Sequence, residues 1–511
     1  MITNYLLLVL GINSRNHVRL GILAVSDGSR GQCSTTFATQ LADSSFPLLR
    51  LLHSAIAFLS TGSSAPAPSE KTPQAAGAAG LNFHPITDTI PQDSLFGPLE
   101  DKDLEWTCAG GFTVETQTWY TILKDGSFAT SQIIHSSVGL WYPQIQITFK
   151  YFNPKTGQKI WKSINVTGFT SPPPQGFRSK QGLDKRSSKS DQYSALFETL
   201  EDGSEKYTIE ANMDSDLQLA YSFTRPVGAK GWKLGAGPQG GKSLFGANPA
   251  TPEGYVVHRF WPTTKTEGHF IIKGQAIDAA GQGMFVHAIQ GMRPNLVASK
   301  WNFANFQSEE LGGVAGIMME FTTTSDYGNP AVNGVGKEPL IVNIGSITVG
   351  GELVAVTGST RGLRAAPSDP SKGSQSGIKH LDRVIDPDTS YRAPQAIEYT
   401  WEGPQLVTKT GRGDTSKLVH AKMRVELGKP HPVSESKGLV DKVDVLAEVP
   451  YVVRKFVNYV NSTKPFIYQT LNPSTLNLSY DGQERKVQGT VFEEHTFISP
   501  VTEDDVKKPV Q

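Results

Sequence analysis

The chain has 511 residues, enough for more than one sizeable core. Its 48 lysines and arginines are balanced by 48 aspartates and glutamates, which excludes the basic surplus that a nucleic-acid binder uses to displace counterions from phosphates. Two cysteines, Cys33 and Cys108, exclude a disulfide framework and a cysteine-based zinc site, and such sparse use fits a reducing compartment.

From the start of the chain, residues 1–103 read as a divergent, largely disordered region. No apolar run reaches the roughly 20 residues of a spanning helix. The first, Tyr5–Ile12, lacks the preceding basic residue of a secretory signal. The N-x-[ST] triplets at Asn165, Asn461 and Asn477 are expected to stay unmodified in a cytosolic chain. Phe46–Leu59, "FPLLRLLHSAIAFL", is long enough for about four helical turns, with Pro47 tolerated in the first. It is read either as a helix packed on its own protein or as an interfacial helix presenting Phe46, Leu49, Leu52 and Ile56 to a membrane. Ser63–Gly80 has linker composition.

From about Leu104 the pattern is that of strands. Ile145, Ile147, Phe149 and Tyr151 alternate with other residues, as do Leu217, Leu219, Tyr221 and Phe223. The same holds for Ile397, Tyr399 and Trp401, and for Val419, Ala421, Met423 and Val425. Period two predicts half-buried antiparallel strands. Asp125-Gly126, Asp202-Gly203, Gly350-Gly351 and Asp481-Gly482 supply hairpin turns. Pro172–Gln192 reads as a mobile, basic insertion. Near the C-terminus Val453, Phe456, Val457 and Val460 make one helical stripe.

"IHSSVGLWYPQIQITFKYF" from Ile134 and "VHAIQGMRPNLVASKWNFANF" from Val286 look like two copies of one unit. His135 falls on His287, Phe149 on Trp301, Tyr151 on Phe303 and Asn153 on Asn305, at a constant offset of 287 − 135 = 152. The expected fold is therefore all-β, with two similar antiparallel domains joined near Pro262–Gly268: residues 104–263, residues 264–503, and a tail over 504–511.

"AGPQGGKS", Ala236–Ser243, matches a phosphate loop. Such a loop works only where a strand feeds a glycine turn that opens a helix. The strand before it ends by Pro226, and "LFGANPATPEGY" behind it cannot be helical. It is read as an inter-strand loop with Lys242 solvated, so no nucleotide is expected. Arg412-Gly413-Asp414 is read as a solvated turn. No metalloprotease, hydrolase or metal-spaced histidine motif occurs, so no catalytic residue, metal or cofactor is assigned. An antiparallel barrel needs none of these to hold an apolar ligand. A tail of about sixteen methylenes would gain at most ~13 kcal/mol at roughly 0.8 each. The same aromatics would equally fill an ordinary core.

Several stretches carry a resemblance: "VETQTWYTILKDGSFATSQIIHS", "GYVVHRFWP", "GHFIIKGQAIDAAGQGMFVHAIQGMRPN", "SKWNFANFQS" and "KPFIYQTLN". From about Leu104 to Ser499 the chain resembles the fungal oxidative-stress survival factors, described as ceramide-binding tandem-lipocalin proteins. The resemblance implies two calycin-like barrels. It further implies a cytosolic carrier taking ceramide from the endoplasmic reticulum to the cis-Golgi without vesicles, and a part in survival under oxidative stress. Family members begin with a short amphipathic helix that docks on membranes, a pattern that "MITNYLLLVLGINSRNH" does not match. The partners expected are ceramide or a related sphingolipid and a reversible membrane surface contact, with no nucleic acid.

The candidate lipid-binding residues are Phe285, His287 and Ile289 on one strand face and Trp301, Phe303 and Asn305 on the next, all placed in the lumen of the second domain. His287 and Asn305 would hydrogen-bond the headgroup. The alternatives are a hydratase or isomerase with His287 as acid or base, and a stress-related scaffold with filled barrels.

Overall fold

A computed structural model of the chain describes residues 80–137, 143–172, 184–330, 337–363, 376–407, 410–445 and 464–500. Phe46–Leu59 with Phe46, Leu49, Leu52 and Ile56, the helical stripe over 453–460 and the tail over 504–511 lie outside the described residues, as do most of the Ser63–Gly80 linker and residues 173–183 of the insertion.

Alternating strands joined by tight turns give two large antiparallel sheets. The first is built from β1 (Val114–Leu123), β2 (Phe128–Ser136), β3 (Gln144–Phe152), β4 (Lys159–Asn165), β5 (Tyr193–Thr199), β6 (Glu205–Asp214), β7 (Leu217–Arg225), β8 (Gly254–Ile272) and β9 (Gly281–Gln290). The second contains β10 (Lys300–Ser308), β11 (Val314–Thr322), β12 (Leu340–Val349), β13 (Glu352–Gly362), β14 (Gly377–Leu381), β15 (Ala396–Leu406), β16 (Gly413–Glu426), β17 (Phe466–Tyr480) and β18 (Gln483–Phe497). Their orders are β4-β3-β2-β1-β9-β8-β7-β6-β5 and β13-β12-β11-β10-β18-β17-β16-β15-β14, the same topology twice. The hairpin glycines Gly126, Gly203, Gly351 and Gly482 all have positive φ.

Each sheet curls back toward its own far edge. In the first, Thr170 beyond β4 bridges Lys189 before β5, with backbone bonds of 2.8 and 3.0 Å. In the second, β13 returns against β15: a Cβ on Gly403 would stand 3.1 Å from the Val356 carbonyl oxygen, and Ser359 donates to the Ser376 carbonyl at 2.9 Å.

The topology relocates two boundaries. Residues 80–103, read as part of a largely disordered region, are ordered, with Phe96–Pro98 paired to Trp232–Leu234 in the first sheet. Gly254–Gln290 belongs to the first sheet, so the changeover falls between Gln290 and Lys300 rather than at residues 263 and 264. Pro262 suggested a joint, but it sits at a register shift between Trp261 and Thr264 inside β8, where a missing N–H is tolerated. The internal repeat is real but not in the register the sequence suggested. The 152-residue offset lays β2 on β9 and β3 on β10, whereas the sheet order equates β1 with β10 and β9 with β18. His135 and His287 are thus on different strands of one barrel.

Three apolar layers result. One fills the first barrel, with Trp119, Tyr207, Phe270 and Phe285. One fills the second, with Phe306, Met318, Tyr399 and Trp401. The third lies between the barrels, where Met284, Val286 and Ala288 of β9 share a layer with Trp301, Phe303, Ile317 and Phe492. Phe128 stacks on Phe492 at 4.0 Å, and Tyr120 meets Phe303 at 5.2 Å. Strands β1, β2 and β11 are therefore buried along their whole length on both faces, not half-buried.

A buried cation also crosses the seam. Lys150 of β3 donates to Asp441 Oδ2 at 2.8 Å and Gln469 Oε1 at 2.5 Å, while Lys159 reaches Asp441 Oδ1 at 3.0 Å. Burial pushes the Lys150 ammonium below its ordinary pKa, and Asp441 only partly offsets this. Asp441→Ala is expected to cost about 3–5 kcal/mol in urea unfolding, because Lys150 keeps its burial but loses its counter-charge. Combining it with Lys150→Met should recover most of that loss.

Candidate functional site

At the end of the first barrel where β1 begins, inward positions turn from apolar to polar. Glu115 and Gln117 on β1, His135 on β2, His287 on β9 and Arg259 on β8 are all at least largely buried there, above the Trp119 layer. A plug closes this end. The one-turn helix Asp101–Leu104 begins with a capping box in which Asp103 Oδ2 accepts the Glu100 N–H at 2.8 Å. Asp103 then takes Lys233 Nζ at 2.7 Å and lies 3.4 Å from Arg259 Nε. Lys233 is fully buried, its charge neutralised by a partner from the plug.

His287 joins plug to wall. Its Nδ1 lies 2.7 Å from the Asp103 carbonyl and its Nε2 lies 2.9 Å from Glu115 Oε1. A carbonyl oxygen only accepts, so Nδ1 carries hydrogen, and Nε2 and Glu115 share one further proton. Glu115 also accepts from Thr107 N at 2.8 Å, Thr107 Oγ1 at 2.7 Å and Cys108 N at 2.8 Å. Burial pushes the Glu115 carboxyl up, but His287 and the Thr107 donors outweigh it and hold it below the usual range. Burial pushes His135 down, and the nearby Glu115 charge only partly offsets this. Beneath the layer Trp119 meets Tyr207 and Phe285 at 5.3 Å each, and Trp261 meets them at 5.2 and 5.1 Å.

The structure separates the two candidate trios. Phe285 lies in the first barrel's interior layer; His287 and Ile289 share its face by alternation. They therefore face the first barrel rather than the second. Trp301 and Phe303 point into the seam, and Asn305 shares their face, whereas Ala304 and Phe306 fill the second barrel. The face was misassigned because a fully buried strand gives no amphipathic signal to say which side is the lumen. Both ring nitrogens of His287 are already engaged, so it holds the plug and orients Glu115 instead of reaching a headgroup.

Glu115, Gln117, Asp103, Lys233 and Arg259 were not singled out from sequence. In "VETQTWY" a glutamate and a glutamine share a strand face with Trp119, a buried-polar signal that could have been read. Nothing in the sequence pairs Asp103 with Lys233. The glycine loop does lead into a strand, Lys242–Phe245, preceded by the short strand Trp232–Leu234. Lys242 is half-buried rather than solvated, because its Nζ lies over the Tyr255 ring at 5.8 Å. Asp414 accepts the Ser416 N–H at 3.0 Å at the start of β16, and Arg412 reaches Asp93 at 3.5 Å. Asp386, Asp388 and His431 converge as an ion site would, but Lys442 Nζ stands 2.8 Å from both carboxylates and supplies the cation.

The architecture defines a class: a tandem calycin-like protein of two antiparallel barrels with apolar interiors, one of them closed by an ion-paired plug. Comparison with known sequences gives the family. The profile of the Svf1 family matches residues 36–499, and the chain belongs to that family. Ceramide-binding protein svf1 of Schizosaccharomyces pombe is 30% identical over 421 residues, covering 82% of this chain and 94% of that one. Ceramide-binding protein svf-1 of Neurospora crassa is 31% identical over 404 residues, covering 78% and 88%. These relatives are named as binding proteins. Among solved structures, CghA with Sch210972 matches at a TM-score of 0.45 and 11% identity, over 76% of this chain and 89% of that one. Kievitone hydratase from Nectria haematococca matches at 0.40 and 10%, over 80% and 98%. Scores this low carry no functional argument.

Glu115→Gln should destabilise the protein by roughly 3 kcal/mol at pH 7, since a neutral carboxamide with a single acceptor oxygen replaces the buried carboxylate that accepts from Thr107 and Cys108. The contribution of a carboxylate with a depressed pKa is present above its unfolded value near 4.3 and is lost as pH falls through the folded value. The gap between wild type and Glu115→Gln in thermal unfolding should therefore narrow below about pH 4.

Proposed function

We propose that this protein binds ceramide or a closely related sphingolipid and carries it between membranes. The reading extends to delivery from the endoplasmic reticulum to the cis-Golgi without vesicles, and to survival under oxidative stress through sphingolipid balance. The observation that supports it most is the first barrel's interior: aromatic side chains over its length and, at one end, charged groups that neutralise one another. Relatives similar across both barrels are named ceramide-binding proteins, which supports the same ligand class. A long acyl chain placed against such a surface leaves water at roughly 0.8 kcal/mol per methylene, before ordering costs.

A carrier works in the cytoplasm and touches its membranes reversibly, and one interfacial helix gives attachment of that strength. Phe46, Leu49, Leu52 and Ile56 are the proposed contacts. An acid–base enzyme built on His287 would need a ring nitrogen free for substrate, and both are occupied within the protein.

Native mass spectrometry of the purified full chain is expected to show one sphingolipid per molecule, and the protein should move fluorescent ceramide between vesicles. Replacing Leu49, Leu52 and Ile56 by serine should slow transfer several-fold and leave the bound lipid unchanged. A chain that never retains sphingolipid, in extract or after incubation with ceramide vesicles, would refute the reading.

A further inference from the structure

The chain crosses the end of the first barrel between Phe96–Pro98 and the start of β1, and both feet of this crossing are fixed. Phe96–Pro98 pairs with Trp232–Leu234, and Leu99 N donates to Gly231 O at 3.4 Å. On the far side Glu115 accepts from Thr107 and Cys108, and Ser137 Oγ donates to Ala109 O at 2.7 Å. The plug proper is the span between them, Leu99–Trp106.

That span is acidic. Glu100–Glu105, "EDKDLE", carries four acids and one lysine. Each acid sits by a basic side chain of the barrel rim. Glu100 lies 3.8 Å from Lys233 Nζ, and Asp101 lies 2.8 Å from Arg186 Nη1. Asp103 lies 2.7 Å from Lys233 Nζ and 3.4 Å from Arg259 Nε, and Glu105 lies 3.9 Å from Lys185 Nζ. Arg186 has other partners, Asp184 at 2.6 Å and Glu205 at 3.8 Å. For Lys185, Lys233 and Arg259, every ion pair among the described residues is with the plug. Even so, Arg259 Nε makes no hydrogen bond among the described residues.

The underside of the span is apolar. Leu104 and Trp106 complete the interior layer of the first barrel, and Leu99 packs against it. Lifting the plug in water would expose these side chains and separate opposite charges, so the closed state holds there. An anionic lipid leaflet reverses the balance. Its field repels the four acids and attracts the three cations beneath them, each cation gaining roughly fivefold in binding. A surface shifts an equilibrium only through its different affinity for the two states, and here both halves of the contact favour the open one.

We propose that Leu99–Trp106 is an autoinhibitory lid, and that the rim it covers, with Lys185, Lys233 and Arg259, is a docking surface for an anionic phospholipid membrane. The acidic strip sits where lipid phosphates sit on docking. Docking lifts the strip and opens this end of the first barrel against the bilayer. The contact is separate from that proposed for Phe46, Leu49, Leu52 and Ile56, and it does not depend on which lipid the protein carries.

The test uses the full chain with vesicles of phosphatidylcholine, alone or in a roughly 3:1 mixture with phosphatidylserine. The Asp103 and Trp106 amides are hydrogen-bonded in the closed state, to Glu100 O and Lys185 O. Their hydrogen exchange is expected to quicken about tenfold on the mixed vesicles and to stay unchanged on the neutral ones. Glu105→Cys with Lys185→Cys, in a Cys33→Ser, Cys108→Ser background, puts two thiols in place of one ion pair without altering the net charge. Oxidised, this protein should bind mixed vesicles roughly fivefold more weakly than the same protein after reduction, and both forms should bind neutral vesicles alike. Lys185→Gln alone should weaken binding to mixed vesicles about fivefold, whereas Lys155→Gln, in the exposed turn between β3 and β4 at the other end of the barrel, should leave it unchanged. Exchange that mixed vesicles do not quicken, or equal binding by the oxidised and reduced forms, would overturn the lid. Equal losses from Lys185→Gln and Lys155→Gln would overturn the rim as the docking surface. Exchange quickened by soluble polyglutamate but not by vesicles would assign the rim to an acidic protein and overturn the lipid surface. Ceramide enters none of these measurements, so their failure leaves the carrier reading standing, and a chain that binds no ceramide leaves the lid standing.

Discussion

The structure depends on burying both faces of a small set of strands. β1, β2 and β9 give one face to the first barrel's interior and the other to the seam, where they meet β10, β11 and β18. Antiparallel sheets often leave one face to water. Where these strands meet, and along the whole of β1, β2 and β11, neither face is wet, so every side chain there must be apolar, paired or turned toward something else. The seam takes the first option with Phe128 on Phe492 and Tyr120 on Phe303, and the second with Lys150 on Asp441. At its polar end the first barrel's interior takes the second option with Glu115 and His287, and leaves Gln117 and the indoles for the third.

The plug follows from the same constraint. Asp103 and His287 are far apart in the chain, and neither is stable buried alone. One short turn of helix brings the Asp103 carboxylate to Lys233 and its carbonyl to His287, so a single residue neutralises one wall of the barrel and fixes a proton on another. Charge is thereby confined to pairs at the mouth. The depth of the barrel stays apolar.

Duplication makes the two barrels comparable strand by strand, and their difference is chemical rather than topological. In the second barrel His380 answers Asn302, the Ile317 carbonyl answers Trp401 and Thr470 answers Glu493, while the Asn343 carboxamide oxygen has no partner among the described residues. In the first, the Gln117 carboxamide oxygen has no partner among the described residues.

The sequence by itself determined the all-β class, the tandem arrangement, the hairpin positions and the family, because period-two alternation and Asp-Gly turns are local and every strand carries them. It also placed "AGPQGGKS" in a loop that leads into a strand, since "LFGANPATPEGY" cannot be helical. Tertiary structure alone decided the rest. Which face of Trp301–Asn305 looks into a barrel is invisible when both faces are buried, and whether Pro262 ends a domain or bulges a strand depends on its neighbours. The pairing of Asp103 with Lys233 and of Glu115 with His287 joins residues more than a hundred positions apart. Such contacts are set by how two sheets curl and close, and no local pattern encodes them.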